Sequence, residues 1–434
     1  MISAGVDQYL VRLDIACRQV CRDIKSKGCG RSGKQKKEKK VAEFSFYQPT
    51  RLDFGAGKLE KLGQITAAYG QSCLLVTTSK EEAALRPLYE RVKKILDAAG
   101  VRYVHFDEVV PNPDIKGIAK ASEIVRREKL EVVVAVGGGS SMDTAKAIAL
   151  FWEAETVDWK EAFGKYSSPF AVYELPGSKA LPIVAVPTTA GTGSEVTQAM
   201  ILSDQEHQDK ECVYHQAAFP QAAIVDPELC RTLPPYLTAV TGFDAFTHAF
   251  ESYMRELASP YTRMLGIEAM KTVIRALPKL MQEPDNMECR EAMSRAAVFA
   301  GISLSNASAD IPHPLSEVIG GVVPRIAHGQ CLACVYPAYL RFRITNLPEK
   351  CADIARLFDP ALAQVSAEEA AAHLPGQMEE FLKSIGIYNT LADLGVTREQ
   401  LAEMKTNFVF NVLPFAPKEI LLGMMDAAYG KEQA

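Results

Sequence analysis

The chain has 434 residues, of which 48% are hydrophobic and 23% are charged, and its formal net charge is −5. This length allows two domains with separate cores, and the balance of residue types is typical of a globular protein. The acidic balance argues against a nucleic-acid partner, and the lack of an apolar run of roughly 18 residues argues against a membrane partner.

The ten cysteines are scattered along the chain, and the N-terminus lacks the apolar stretch and cleavage site of a secretory signal. This pattern predicts reduced thiols and a cytoplasmic location. Cys331 and Cys334 are spaced as CxxC, and we expect both to be small buried side chains of a helix rather than a metal or redox site.

The first 43 residues contain 11 Lys and Arg but only 5 Asp and Glu, so this segment is basic within an acidic chain. Apolar residues recur at helical spacing from Val6 to Ile24, and glycines and a lysine-rich run follow. We expect an accessory helix and a basic linker here, outside the folded core. A mitochondrial presequence is the alternative, which three early aspartates disfavour.

From residue 44 to about residue 203 the sequence alternates between strand and helix patterns. Short β-rich runs occur at Cys73–Thr77, Val132–Val136 and Ile183–Val186, and each leads into a turn and a helical segment. This alternation predicts an α/β domain with parallel strands. The unbroken apolar run at Val132–Val136 is typical of a strand buried on both faces.

Two glycine-rich loops follow strands of this domain. Val132–Val136 runs into Gly137–Ser141 at the start of a helix, where backbone N–H groups and the helix dipole favour an anion. The spacing is not GxGxxG, and a simple tight connection is the alternative. The second loop, residues 187–197, is rich in glycine and threonine. Two such loops at the carboxyl ends of strands predict a dinucleotide site.

After about Val225 the pattern becomes helical. We place the domain boundary in the polar stretch Ser203–Gln208, which gives an α/β domain of residues 44–205 and an all-helical domain of residues 206–434. The predicted helices are Leu237–Met254, Tyr261–Met281, Met287–Leu304, Ala367–Ile385 and Arg398–Phe408.

Asp244 and His248 in the first of these helices are four residues apart, which places both on one helix face. A carboxylate and an imidazole form half of a plausible divalent-metal site, which His313 and His328 would complete. From spacing alone such a pair is more often a solvated or helix-terminal interaction than a metal site, so both interpretations stay open at this point.

These motifs resemble those of the iron-containing (group III) alcohol dehydrogenases. The resemblance extends from Pro49 to about Pro337, and it implies a dinucleotide-binding α/β domain, an all-α metal domain and an active site between them, a fold shared with dehydroquinate synthase. The motifs that carry it are Pro111–Asp114, residues 137–147, residues 187–197, Asp226–Leu229 and the stretch from Thr238 to Tyr253.

The resemblance implies that Asp244, His248, His313 and His328 bind Fe²⁺, with Zn²⁺ as the alternative. The metal would polarise the oxygen of a small primary alcohol or aldehyde while a hydride passes to or from NADP or NAD. A homodimer or larger homo-oligomer is typical of such proteins. The implied cofactor contacts are Asn112, Gly138, Gly139, Ser140, Ser141, Met142, Asp143, Thr188, Thr189, Thr192, Thr197 and Lys210.

The sequence departs from this family's pattern near the metal. Many members carry a histidine four residues after the third ligand, where this chain has Glu317. Glu317 either replaces that histidine in catalysis or is structural. The spacing from His313 to His328 is also one residue longer than the commonest form, and a loop at Val322–Ile326 would absorb the extra residue.

A third departure concerns the choice of cofactor. NAD-preferring members place an acid after the first strand of the nucleotide site, whereas Val76–Lys80 contains none. We therefore add Thr78 and Ser79 to the cofactor contacts and favour NADP, because Ser79 and Lys80 would accept a 2′-phosphate. The alternative is that Lys80 is simply solvated.

Other functions remain in competition with this interpretation. A lyase of the dehydroquinate synthase type has a related fold and also uses NAD and a metal, but its ligand set differs. A hydroxy-acid dehydrogenase, for example one acting on 4-hydroxybutyrate, and a non-catalytic descendant are further alternatives. The sequence does not identify the substrate.

Overall fold

The structure is a computed structural model that describes residues 43–204, 206 and 209–430. The expected accessory helix and basic linker lie, except for Glu43, outside these residues. From Phe46 onward the chain forms a single compact unit.

The core of the first half is a six-stranded parallel sheet with the strand order β1-β8-β5-β4-β2-β3. Two further strands, β6 and β7, form an antiparallel hairpin beside it. The three strands predicted from the sequence are confirmed. The strands are β1 (Arg51–Phe54), β2 (Ser72–Thr78), β3 (Arg102–Val109), β4 (Val132–Gly137), β5 (Ile183–Pro187), β6 (Ala199–Asp204), β7 (Asp209–Tyr214) and β8 (Ala222–Val225).

Helices cover both faces of this sheet, so its central strands are buried on both sides. Val133 of β4 packs with the helices of one face, whereas the neighbouring Val132 packs with those of the other. This explains the unbroken apolar run of β4. The helices of this half are α1 (Leu62–Ala67), α2 (Arg86–Ala98), α3 (Ile115–Glu128), α4 (Gly139–Phe151) and α5 (Trp159–Lys165).

The second half of the chain is helical, and all five helices predicted there are confirmed. Four further helices of at least eight residues, which begin at Pro312, His328, Pro348 and Lys418, were not predicted. The helices are α6 (Pro235–Met254), α7 (Pro260–Gln282), α8 (Met287–Ala307), α9 (Pro312–Val322), α10 (His328–Asn346), α11 (Pro348–Phe358), α12 (Ala367–Ser384), α13 (Arg398–Lys405), α14 (Val409–Val412) and α15 (Lys418–Tyr429). None of the helices in the described part of the chain is long and apolar enough to cross a membrane.

The parallel sheet extends beyond the domain boundary expected at residues 205 and 206. In the sequence that position falls between β6 and β7, and β8 then pairs with both β1 and β5 in the parallel sheet. The sheet therefore continues to Val225, and the helical half begins at Pro235.

The two halves of the chain meet closely at the second glycine loop. Gly193 has φ +63°, and a Cβ atom built on it would lie 2.6 Å from the Cα atom of Gly301 in α8. A Cβ atom on Gly191 would lie 2.7 Å from the Cβ atom of Thr241 in α6. Glycine at these positions lets the loop after β5 rest directly on α8 and on α6, the helix that carries Asp244 and His248.

Candidate metal and nucleotide site

The two glycine loops lie side by side at the carboxyl edge of the sheet. The amide of Thr188 donates to the carbonyl oxygen of Gly137 over 2.9 Å. A Cβ atom on Gly139 would lie 2.8 Å from the Cγ2 atom of Thr192. The loops therefore form one continuous surface, as expected for a shared dinucleotide site.

This surface has unpaired polar groups that suit a phosphate. The hydroxyl oxygens of Ser141 and Thr189 are buried and have no hydrogen-bond partner among the described residues. Gly138, the N-cap of α4, provides no side-chain cap for the first turn of that helix. Buried hydroxyls and free backbone N–H groups at a helix N-terminus are groups that a pyrophosphate would satisfy.

Other expected cofactor contacts lie along the same edge of the sheet. Asn112 follows β3 and has φ +58°, and Thr78 and Ser79 lie at the end of β2. Because all six strands are parallel, these residues share an edge with the glycine loops. Met142 is 1% exposed and packs in the apolar core, so only its backbone can face a cofactor.

Two expected contacts are already engaged in bonds within the protein. The carboxylate of Asp143 accepts from the Ser194 hydroxyl over 2.6 Å and from the Ile201 amide over 3.0 Å. The hydroxyl oxygen of Thr197 accepts from the buried ammonium of Lys146 over 3.1 Å. Both side chains brace the second loop against α4, and a direct contact between either and the cofactor stays a prediction.

The three candidate histidines surround one oxygen of Asp244. Asp244 and His248 lie one turn apart on α6, whereas His313 and His328 lie in the first turns of α9 and α10. The Nε2 atoms of His248, His313 and His328 are 3.4, 3.7 and 3.6 Å from the Oδ1 atom of Asp244. The loop between α9 and α10 begins after Val322, where the extra residue was expected.

These donor atoms fit a divalent cation. Ligand atoms of Asp244, His248 and His313 all lie within 4.8 Å of one another. The Oδ1 atom of Asp244 and the Nε2 atom of His313 are buried without a hydrogen-bond partner among the described residues. Leaving such groups unpaired is costly, and a cation at the centre would satisfy them. Both Fe²⁺ and Zn²⁺ accept an Asp/His ligand set.

The charges of the cluster also suit a cation. Burial raises the pKa of Asp244, but the neighbouring His248, His313 and His328 outweigh this effect and hold that pKa below its usual range. Burial lowers the pKa of His248 to about 4, and the other two histidines act in the same direction. The ionised carboxylate of Asp244 and the neutral imidazole of His248 are the forms that bind a metal. Burial lowers the pKa of His313, but Glu251 and Asp244 outweigh this effect and raise that pKa to about 10, so His313 must release a proton when a metal binds.

The cluster opens to solvent on the side of His328. The side chain of His328 is 29% exposed, whereas those of Asp244 and His248 are 5% and 7% exposed. A small substrate can therefore approach past His328, and the rest of the cluster is shielded from water.

Glu317 lies at this opening, one turn after His313 on α9. Its Oε2 atom is 2.7 Å from the Nζ atom of Lys210 on β7, and its Oε1 atom is 3.4 Å from the Nδ1 atom of His328. Burial raises the pKa of Glu317, but Lys210 and His328 outweigh it and hold that pKa below its usual range. Lys210, an expected cofactor contact, is thus paired with the carboxylate of Glu317.

Sequence reasoning did not single out Glu251, which contacts the Asp–His cluster. Its Oε1 atom lies 2.8 Å from the Nδ1 atom of His313, on the side of the ring that faces away from Asp244. Glu251 follows Asp244 by seven residues and His248 by three, so the helical repeat places all three on one face of α6. That spacing was a signal available in the sequence.

Comparison with known proteins agrees with this architecture. Residues 49–227 match the family model of the iron-containing alcohol dehydrogenases, and residues 238–419 match the model of that family's C-terminal domain. A choline dehydrogenase of Bacillus subtilis (strain 168) is 33% identical over 365 residues, which cover 83% of this chain and 87% of that protein.

Two further relatives agree with these matches. An NAD-dependent methanol dehydrogenase of Bacillus methanolicus is 32% identical over 84% of this chain and 92% of its own length. An archaeal alcohol dehydrogenase from a Red Sea brine pool superposes with a TM-score of 0.81 at 30% identity. The superposition covers 89% of this chain and 99% of that structure.

A parallel sheet with paired glycine loops, packed on helices that gather one carboxylate and three imidazoles, defines a class of metal-dependent oxidoreductases. The chain belongs to the iron-containing alcohol dehydrogenase family. The fold expected from the sequence is thereby confirmed, and the family favours a dehydrogenase over the lyase alternative.

Proposed function

We propose that this enzyme transfers a hydride between a nicotinamide cofactor and a small primary alcohol or aldehyde. The observation that carries the proposal is the convergence of three imidazole Nε2 atoms on the Oδ1 atom of Asp244, within 3.4 to 3.7 Å. The second glycine loop touches Thr241, one turn before Asp244, so the cluster lies next to the nucleotide surface.

Asp244, His248, His313 and His328 would hold the cation, Fe²⁺ or Zn²⁺. When bound, the cation supplies Lewis acidity to the substrate oxygen and the nicotinamide supplies or accepts the hydride. Asp244 offsets part of the cation's charge, and its burial keeps bulk water away from the site. The first turn of α4 and the hydroxyls of Ser141 and Thr189 would bind the pyrophosphate.

We assign Glu317 a positioning role near the substrate. Both of its carboxylate oxygens are engaged, one with Lys210 and one with the imidazole of His328. Glu317 thereby orients His328 from outside the cluster and fixes the amino group of Lys210 at the opening. This role replaces the proton relay that a histidine at this position would offer.

We propose that the enzyme accepts both NADP and NAD. Thr78 stands where an acid would bind the ribose 2′-hydroxyl, and its Oγ1 atom lies 2.9 Å from the Oε2 atom of Glu82. The nearby Lys80 pairs with Asp107 over 3.2 Å and remains 59% exposed. Glu82 can accept the 2′-hydroxyl of NAD, whereas Lys80 can turn toward the 2′-phosphate of NADP.

We further propose a homodimer or larger assembly in the cytoplasm. Among the described residues, the edge strand β1 pairs only with β8. The outer side of β1 could therefore pair with a strand of a second copy. The cysteines in the described part of the chain are free thiols, as the cytoplasm favours. Light scattering tests the assembly: a molar mass near 47.5 kDa would contradict it.

An aldehyde panel tests the proposed reaction most simply. Protein purified without oxygen is mixed with short aldehydes and with NADH or NADPH, and oxidation of the cofactor is followed by absorbance. We expect turnover that a chelator abolishes and that added Fe²⁺ or Zn²⁺ restores. Turnover that survives complete removal of metal, or no oxidation of either cofactor with any aldehyde, contradicts the proposal.

A further inference from the structure

Glu251 is a fully buried carboxylate that belongs to neither the nucleotide surface nor the four candidate metal ligands. Its exposed fraction is 0%, and it lies on α6 one turn beyond His248. A buried acid requires partners, because an ionised group without them is strongly disfavoured in a protein interior. Its partners indicate what the side chain does.

Each oxygen of Glu251 has a defined donor. The Oε1 atom lies 2.8 Å from the Nδ1 atom of His313, and the hydroxyl of Tyr336 lies 3.4 Å from the same oxygen. The Oε2 atom accepts from the amide of Asp310 over 2.8 Å. Glu251 is therefore bonded both to the ring of His313 and to the backbone three residues before it.

Asp310 is itself held in place through its side chain. Its carboxylate accepts from the hydroxyl of Tyr339 over 2.7 Å and from the guanidinium of Arg343 over 2.6 Å. Tyr339 and Arg343 both belong to α10, the helix that begins at His328. The frame that fixes Glu251 thus links α6, the start of α9 and α10, the three elements that carry the four candidate ligands.

We infer that Glu251 is a positioning residue that prepares His313 to bind the cation. A neutral imidazole carries one proton, and a carboxylate at Nδ1 keeps that proton there. The Nε2 atom, which faces the Oδ1 atom of Asp244 at 3.7 Å, is then the nitrogen that would bind the cation. Carboxylates that fix a ligating histidine in this way typically contribute a factor of about 10–100 in metal affinity.

The ring of His328 is held less firmly than that of His313. The Nδ1 atom of His328 lies 3.3 Å from the hydroxyl of Ser316 and 3.4 Å from the carboxylate of Glu317. These contacts are longer than the bond between Glu251 and His313, and His328 is the more exposed residue. Among these two rings, His313 is therefore the one whose orientation depends on a single buried acid.

The inference rests on the proposed metal site and is tested by metal binding rather than by turnover. Zn²⁺ is titrated into metal-free full-length protein in competition with a chromophoric chelator. Glu251→Gln keeps the side-chain shape but leaves one acceptor for the donors of His313 and Asp310. We expect its Zn²⁺ dissociation constant to rise about 10–100-fold, and an unchanged constant overturns the inference.

A double-mutant cycle separates positioning from a general loss of structure. On the His313→Ala background, Glu251→Gln should change the Zn²⁺ affinity less than about twofold, because the ring it orients is gone. A full effect on that background overturns the inference. If Glu251→Gln does not fold, Glu251→Asp is measured in its place. Its shorter side chain moves the carboxylate away from His313, so the affinity for Zn²⁺ should fall. An unchanged affinity again overturns the inference.

The same titration distinguishes this inference from the proposed function. If Asp244→Asn binds Zn²⁺ as tightly as the unsubstituted protein, the metal site itself is wrong. If Asp244→Asn loses Zn²⁺ and Glu251→Gln does not, the site stands and only the role of Glu251 fails. Co²⁺ bound in place of Zn²⁺ adds a spectroscopic check, because altered ligation by His313 shifts its visible absorption.

Discussion

At the scale of single residues, the proposed use of both cofactors would depend on a few charged side chains after β2. This strand lies next to β4, whose end carries the first glycine loop. The hydroxyl of Thr78 donates to the carboxylate of Glu82 over 2.9 Å. An acid from the turn after β2 therefore lies beside the end of that strand. Lys80 supplies the opposite charge one residue beyond Ser79.

Removing either charge should shift the balance between the two cofactors. Glu82→Gln removes repulsion of a 2′-phosphate, so the ratio of kcat/KM for NADPH to that for NADH should rise. Lys80→Met should lower the same ratio. A tenfold change corresponds to about 1.4 kcal/mol, a reasonable upper limit for one exposed charge.

Steady-state kinetics with both reduced cofactors measures this ratio. Glu81→Gln removes one negative charge from the same turn without touching Thr78 and serves as the control. Equal ratios in all variants would show that neither Glu82 nor Lys80 faces the ribose.

The family resemblance predicted the cluster but not its surroundings. Asp244, His248, His313 and His328 were implied by the family's motifs, and the structure brings them together. Glu82 and Glu251 were not singled out, because their importance comes from which atoms they reach after folding. The engagement of Asp143 with Ser194 and Ile201 likewise depends on contacts across more than 50 positions of the chain.

At the scale of elements, the contact between the second glycine loop and α8 holds the two halves together. A Cβ atom on Gly301 would lie 2.8 Å from the Cα atom of Gly193 and 2.9 Å from the Cγ2 atom of Val196. The nearer atom belongs to the backbone, which cannot rotate away as a side chain can. The loop that faces the nucleotide would have to move instead.

Gly301→Ala should therefore reduce stability by about 1–3 kcal/mol, the usual cost of overpacking. It should also raise the KM for the cofactor, because the displaced loop is part of the nucleotide surface. Thermal melting and steady-state kinetics measure the two effects.

Gly376→Ala in α12 is the matched control, since no atom lies within 4 Å of its added Cβ. Alanine is the better helix former by about 1 kcal/mol, so this variant should melt at the same or a higher temperature. Equal melting temperatures for the two variants would show that the contact between Gly193 and Gly301 is not tight.

Five helices were predicted from their helical pattern of apolar residues, and the strands β2, β4 and β5 from β-rich runs that lead into a turn. Other elements were not predicted, among them the long helix α10 (His328–Asn346). Strand β8 was missed because four apolar residues suit a strand or part of a helix equally. Because β8 belongs to the parallel sheet, that sheet extends beyond the expected domain boundary.

At the scale of the whole molecule, function depends on two binding surfaces that different halves of the chain supply. The sheet presents the paired glycine loops, and the helices present the Asp–His cluster. The contacts of Gly191 with Thr241 and of Gly193 with Gly301 fix the distance between these surfaces. A metal bound by the helical half would therefore lie next to a cofactor bound by the sheet.

Metal content tests this account most directly. Protein purified without oxygen is analysed for Fe and Zn, together with Asp244→Asn and with His373→Gln, which alters an exposed histidine of α12. We predict one divalent cation per chain in the unsubstituted protein and in His373→Gln, and none in folded Asp244→Asn. Retention of the full metal content by Asp244→Asn would contradict the account.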